Sequence, residues 1–332
     1  MSYRKVQKTR KGTFLISLPK EWAASYSINK EDTLLVMEQP DGSLTIRPPY
    51  NKGREISAKI KYAPYIDRYI TWSYLMGVDT LEIISDSLFN NKQKDEIKDA
   101  IKKLAGFEVI DEKEDRIIIG TLMEAGQGST EKYIKKELYI ATGMEREAIN
   151  SYLKGDRDGA KEVEERDDEV DRLYFLLVRL SRTAISNPYV GEKLGLNPIS
   201  ALDVREASEI LENLADYAVK ISIMALEKPS FDAEILSAVN QFSYELISLQ
   251  EQALEAILNH AFSQVPVLLE TKGKLVKLID FPVNSNKCDL VSLLNFKAAL
   301  IQILERSYDL IDLVSPSGSG NPDGDLIFEK IQ

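Results

Sequence analysis

Histidine and cysteine are nearly absent: His260 and Cys288 each stand alone in a chain of 332 residues. One cysteine excludes an internal disulfide, and one of each cannot build a zinc site of the usual Cys/His kind. The same scarcity leaves no Ser/His/Asp or Cys/His catalytic set, and no di-iron oxidase site, which draws Glu-x-x-His from two helices of a bundle. Long apolar runs are missing as well. Nothing approaches the roughly 20 residues of a membrane span, and the basic start has no apolar signal segment, so a cytoplasmic protein that is not an enzyme is expected. Gly77, Gly106 and Gly120 are isolated, as caps and turns are, and form no phosphate loop. Any metal held by this chain must then be bound by oxygen, which favours magnesium, manganese, calcium or iron in a carboxylate cage.

Charge is plentiful and unevenly placed. The net charge is −11, yet residues 1–54 carry ten Lys/Arg against five Asp/Glu, a balance of +5 that leaves −16 for the remainder. A basic head on an acidic body predicts that the head alone meets a polyanion. The head reads as short elements. Tyr3–Gln7 and Thr13–Leu18 are strand-like about Gly12, and Pro19-Lys20-Glu21-Trp22 opens a short helix with proline in its first turn. Thr33–Glu38 and Ser43–Arg47 flank the turn signal Pro40-Asp41-Gly42, and Pro48-Pro49 ends the unit. Some 50 residues of short strands bury little core alone, so this unit is expected to gain one by forming a homodimer.

In its order of elements the head resembles the AbrB/MazE/SpoVT swapped-hairpin DNA-binding domain. The resemblance lies in Lys5-Val6-Gln7-Lys8, then Gly12-Thr13-Phe14-Leu15-Ile16-Ser17-Leu18-Pro19-Lys20-Glu21-Trp22, and Asp41-Gly42-Ser43-Leu44-Thr45-Ile46. It implies a β-barrel interleaved from two chains over residues 1–50. It also implies that Arg4, Lys5, Lys8, Arg10 and Lys11, five cations with no acid among the first twelve residues, face DNA phosphates.

Residues 55–125 alternate strand and helix patterns, a small α/β unit that serves as spacer, dimerisation layer or ligand sensor. Strands are expected at 56–60, 80–84, 108–111 and 116–121, and helices at 63–76 and 92–104. From about Glu131 the pattern is helical throughout. Three long helices are expected in residues 131–228 and three more in 229–315, followed by a flexible tail over 316–332. Sliding the chain by 105 residues sets Leu153 on Leu258 and Asp171 on Val276, which suggests a duplicated three-helix unit.

Within the helical region acidic residues recur one turn apart beside aliphatic core positions: Asp167 and Asp171, Glu212 and Asp216, Glu305 and Asp309. Like charges so placed repel, and a cation between them reverses the sign. Two three-helix units with Arg166-Asp167-Asp168-Glu169-Val170-Asp171-Arg172-Leu173-Tyr174 and Leu211-Glu212-Asn213-Leu214-Ala215-Asp216-Tyr217-Ala218 resemble the PhoU family of phosphate-uptake regulators. That resemblance implies that these six acids hold iron, manganese or magnesium. The three-part arrangement is similar to archaeal phosphate-uptake regulators, which implies a DNA-binding transcriptional regulator of phosphate homeostasis, acting with a phosphate transporter or signalling protein. The competing reading is an antitoxin-like protein whose body only packs against a partner. The offset of 105 also sets Asp167 on Lys272, so Glu305 and Asp309 are expected to meet a lysine, and metal is expected in the first unit only.

Overall fold

Local signals in the sequence set the ends of the long helices. Asn90 begins one with a capping box to Gln93, Asp156 accepts from the amides of Asp158 and Gly159, and Asn197 caps another jointly with Ser200. Gly155, at φ +66° where a side chain would be strained, closes the turn between two of them.

The computed structural model describes residues 3–38, 42–48, 55–122, 128–225, 231, 233–281 and 290–315. The turn residues Pro40 and Asp41, the Pro49 stop, Cys288 and the 316–332 tail lie outside them. The chain divides into two compact units, Met1–Arg54 and Glu55–Gln332.

The first unit contains β1 (Gln7–Lys8), β2 (Phe14–Leu15), α1 (Lys20–Ser25), β3 (Leu35–Glu38) and β4 (Leu44–Arg47). β1 pairs with β2 and β3 with β4, both antiparallel, in two separate two-stranded sheets. The first two strands are much shorter than their patterns at 3–7 and 13–18. A two-stranded ribbon without a third strand or a packed face is marginal in water, and this one has no packed face. Phe14 is 67% exposed and Leu44 65%, and Arg47 is the one described residue of the unit that is buried.

The second unit begins with a mixed sheet. β5 (Ser57–Lys61), α2 (Ile66–Leu75), β6 (Thr80–Ile84), α3 (Asn91–Lys102), β7 (Phe107–Glu112) and β8 (Arg116–Thr121) give the strand order β5-β6-β8-β7. Only β5 and β6 run parallel, joined by the α2 crossover. Ile70 and Tyr74 of α2 and Ile97 of α3 bury against Leu81, Ile83, Ile117 and Ile119 of the sheet. Gly120 leaves room for Ile110, whose side chain would collide with any Cβ there.

The helical body follows: α4 (Thr130–Lys154), α5 (Arg157–Ser186), α6 (Pro188–Leu194), α7 (Pro198–Met224), α8 (Ala233–Asn259), α9 (Val265–Glu270), α10 (Lys272–Leu278) and α11 (Leu290–Asp312). Two features differ from the periodicity. The α6 turn was hidden between long helices. The middle one of the three helices expected in 229–315 is broken at Thr271 into α9 and α10; the Thr271 amide donates to Leu268 O in a three-residue turn and its hydroxyl donates to the same carbonyl. Both halves of the body share one continuous core, from Ile134 and Tyr152 through Leu211 and Phe242 to Phe296 and Leu310. Among the described residues no helix is long and apolar enough to cross a membrane.

Candidate functional site

The helix α5 shows two stripes to two neighbours. Val163, Val170, Leu173 and Leu177 enter the core of the body. Asp171, Phe175, Arg179 and Arg182, spaced by four, four and three, run beside them and meet the α/β layer. Arg179 is the anchor of that contact. It is buried, stacks on Tyr74 and Phe107, and donates to Tyr74 O (2.6 Å), Val78 O (2.9 Å) and Asp79 Oδ1 (3.0 Å). A charged residue inside Leu176-Leu177-Val178-Arg179-Leu180 was the sequence signal for this site, and it was not read as one.

Two turns earlier on the same stripe lies the acidic face. Asp167 and Asp171 on α5 stand near Glu212 and Asp216 on α7. Burial pushes the Asp167 carboxyl up to about 6, with Asp171 and Asp216 adding repulsion. Burial likewise pushes Glu212 up to about 7, with Asp216, Asp171 and Asp167 adding theirs. The four predicted carboxylates therefore share one electrostatic neighbourhood. One cation reaches it from the α/β layer: Lys103, at the C-cap of α3, donates to Asp171 Oδ2 (2.8 Å) and lies 3.7 Å from Asp168 Oδ1. The Asp171 hydrogen bond holds the Lys103 ammonium above its ordinary value.

An all-oxygen set whose members raise one another's proton affinity suits a hard cation in its chemistry. As placed, however, no three acidic, histidine or cysteine side chains among the described residues stand together as a ligand set. Asp171 is engaged by Lys103 instead.

Glu305 and Asp309 are in different company. Lys272 Nζ donates to Glu305 Oε2 (2.9 Å) and lies 4.8 Å above the Tyr308 ring, while Arg306 donates to Asp309 Oδ2 (2.8 Å). The lysine brought to this place by the offset of 105 thus pairs with Glu305. In the head, Lys8 lies 5.2 Å over the Phe14 ring, and Arg4, Lys5, Arg10 and Lys11 are exposed.

Two buried carboxyls went unread in the sequence. Glu137 and Glu145 of α4 are both fully buried. Ser208 Oγ bonds to both oxygens of Glu137 (2.9 and 2.8 Å), and Gln250 Nε2 bonds to both of Glu145 (3.1 and 3.0 Å). Burial raises both carboxyls, Glu145 to about 8. The signal was their register: Ile134, Leu138, Ala141 and Ala148 form the core stripe, and both acids fall three or four residues from its members. Glu145 and Gln250 are also 105 residues apart, the spacing expected for the duplication, and they join α4 to α8.

No curated protein and no solved structure matches this chain. One family does match, over residues 134–224, which run from the first turn of α4 to the end of α7 and carry Asp167, Asp171, Glu212 and Asp216. The family is the PhoU domain, and over that stretch the body of this protein is PhoU-like.

Proposed function

We propose that this chain is a DNA-binding regulator of phosphate uptake, in which a dimeric head holds DNA and the PhoU-like body responds to a cation or to a phosphate-transport partner. The observation that carries the head's part is its missing core. Val6, Phe14, Ile16, Val36 and Leu44 are exposed in the single chain, and five cations surround the first hairpin. A second copy interleaving its hairpins would bury those side chains and set two clusters of cations side by side. The PhoU match supports the phosphate-linked role.

Two measurements test the head. Light scattering of the full chain should give a dimer, and a monomer would end the interleaved reading. Replacing Arg4, Lys8 and Arg10 together by alanine should weaken binding to all DNA sequences and reduce the slope of log affinity against log salt by up to about 3, near 0.9 per lost phosphate contact. Equal affinity of parent and triple variant at moderate salt would reject the assignment.

In the body, Asp167, Asp171, Glu212 and Asp216 would hold magnesium, manganese or iron, whose positive charge would cancel their repulsion. Glu305 and Asp309, expected as ligands from the resemblance, are neutralised by Lys272 and Arg306 and fit that role less well. Metal content per chain should therefore fall in Asp171→Asn and stay at the parental level in Glu305→Gln. A fall in the second variant and none in the first would reverse the placement.

A further inference from the structure

Two buried polar groups that have no hydrogen-bond partner among the described residues belong to one cavity of the body. The cavity opens between the first turn of α4, the turn joining α6 to α7 and the end of α8. Its volume is about 490 Å³, within the roughly 300–1,000 Å³ of small-molecule sites. Thr130, 2% exposed, and His260 both line it, and Thr130 Oγ1 and His260 Nδ1 are buried without a partner. Buried polar atoms are nearly always bonded, so an unmet pair at one cavity marks a place where a bound molecule completes them. Asp203 of α7 lines the cavity as well. It is half-buried, makes no hydrogen bond or ion pair among the described residues, and interacts electrostatically with His260. His260 also sits at φ +53° just after α8, in the left-handed region that favours glycine, and strain of this kind gathers at ligand sites. Thr130 and His260 fall outside residues 134–224, so the family match gives neither of them a role.

We propose that this cavity binds a small organic amine, whose ammonium group is held by Asp203, Thr130 and His260 and whose apolar body lies along Leu196, Val204 and Ile257. The three polar groups can all accept a hydrogen bond: a carboxylate, a hydroxyl oxygen, and an imidazole nitrogen when the ring proton is on Nε2. An ammonium brings three donors and no acceptor, which matches that set. Charge points the same way. Glu131, Glu192 and Asp203 line the cavity against one lysine, Lys193, whose ammonium lies over the Tyr189 ring. The N-termini of α4 and α7 open on the cavity, yet they do not call for an anion, because their own caps already engage first-turn amides. Ser129 accepts from Lys132 N, and Asn197 accepts from Ile199 N and Ser200 N. The rest of the inner wall is aliphatic, so the body of the ligand is hydrocarbon and not a second charge.

The test uses the full chain and exploits its single histidine: with carbon-13-labelled histidine, one imidazole resonance in the NMR spectrum reports occupancy of the cavity. The probe is cyclohexylmethylamine, compared with its neutral counterpart cyclohexylmethanol and with cyclohexanecarboxylate. The amine should shift the His260 signal saturably. The alcohol, with one donor and no charge, should bind about tenfold more weakly, and the carboxylate should give no saturable shift. Asp203→Asn should weaken the amine by about tenfold or more, since a hydrogen bond to a charged group is lost, and Thr130→Val by about threefold. Urea unfolding shows whether each variant is folded; should one fail, the other and the three-ligand comparison in the parent decide. Equal affinity for amine and carboxylate, amine affinity unchanged in folded Asp203→Asn, or no saturable shift with the amine overturns the assignment.

Discussion

Arg179→Met is expected to destabilise the contact between the α/β layer and the helical body by about 3–5 kcal/mol, the cost of breaking a buried hydrogen-bonded charge and stranding its partners. The stranded groups are Tyr74 O, Val78 O and the Asp79 carboxylate. Asp79 also accepts from the Ile56 amide at the start of β5, so its loss of a cation reaches the edge of the sheet. Methionine restores the apolar stacking over Tyr74 and Phe107 but none of the donors. Lysine restores a charge but only a point donor, and three divergent acceptors need the planar fork of a guanidinium. Arg179→Lys should therefore recover less than half of the loss. Amide hydrogen exchange of the full chain reads the result locally: protection should drop through β5, α2 and β6 while α7 and α8 keep theirs. Uniform protection in Arg179→Met, or a loss spread evenly over the body, would show that the arginine is not the anchor.

That anchor marks the limit of what could be read from residue patterns. Periodicity located the strands at 80–84 and 116–121 as observed: the first alternates between a helix-covered face and an open one throughout, and the second does so as far as Ile119, after which Gly120 is buried as well. It placed the long helices α4, α5 and α7 in the first helical stretch and α8 and α11 in the second, since each has a continuous core stripe. The acid pairs on α5 and α7 were visible as i, i+4 spacings, and the pairing of Lys272 with Glu305 followed from the internal offset. What escaped were contacts set by tertiary packing. Nothing in the local pattern around Lys103 says that the end of α3 lies against α5, and Arg179 needs three partners that are about 100 residues distant in the chain. In the head the strand patterns were longer than the strands. Those residues have the propensity for extended structure, but the single chain gives them no third strand or packed face.

Glu145→Gln is expected to stabilise the body at neutral and alkaline pH, by about 4 kcal/mol at pH 7. The hydrogen-bond accounting around Glu145 points to a neutral carboxyl. Gln250 Nε2 has two hydrogens and three acceptors within reach, the two Glu145 oxygens and Ser307 Oγ (2.8 Å), while Ser307 Oγ gives its own hydrogen to Ile303 O. Gln250 Oε1 is buried and has no donor. A neutral Glu145 leaves no charge in this buried contact between α4 and α8, consistent with burial pushing its carboxyl up to about 8. In the unfolded chain the same group titrates near 4.3. The folded protein therefore binds the extra proton between these values, so the stability contributed by the pair is whole below about pH 4 and is lost progressively as pH rises toward 8. At pH 7 the accumulated loss is about 4 kcal/mol, at roughly 1.4 kcal/mol per unit. Glu137, raised by the same burial, adds to the fall with the same sign and is common to parent and variant. Glutamine at 145 keeps the shape, is neutral at every pH and has no proton to lose. Urea unfolding followed by helical circular dichroism should show parent and Glu145→Gln nearly equal at pH 4 and increasingly apart up to pH 8, the variant being the more stable. A gap that does not widen with pH, or a variant less stable than the parent at pH 8, would mean that Glu145 is ionised in the folded core.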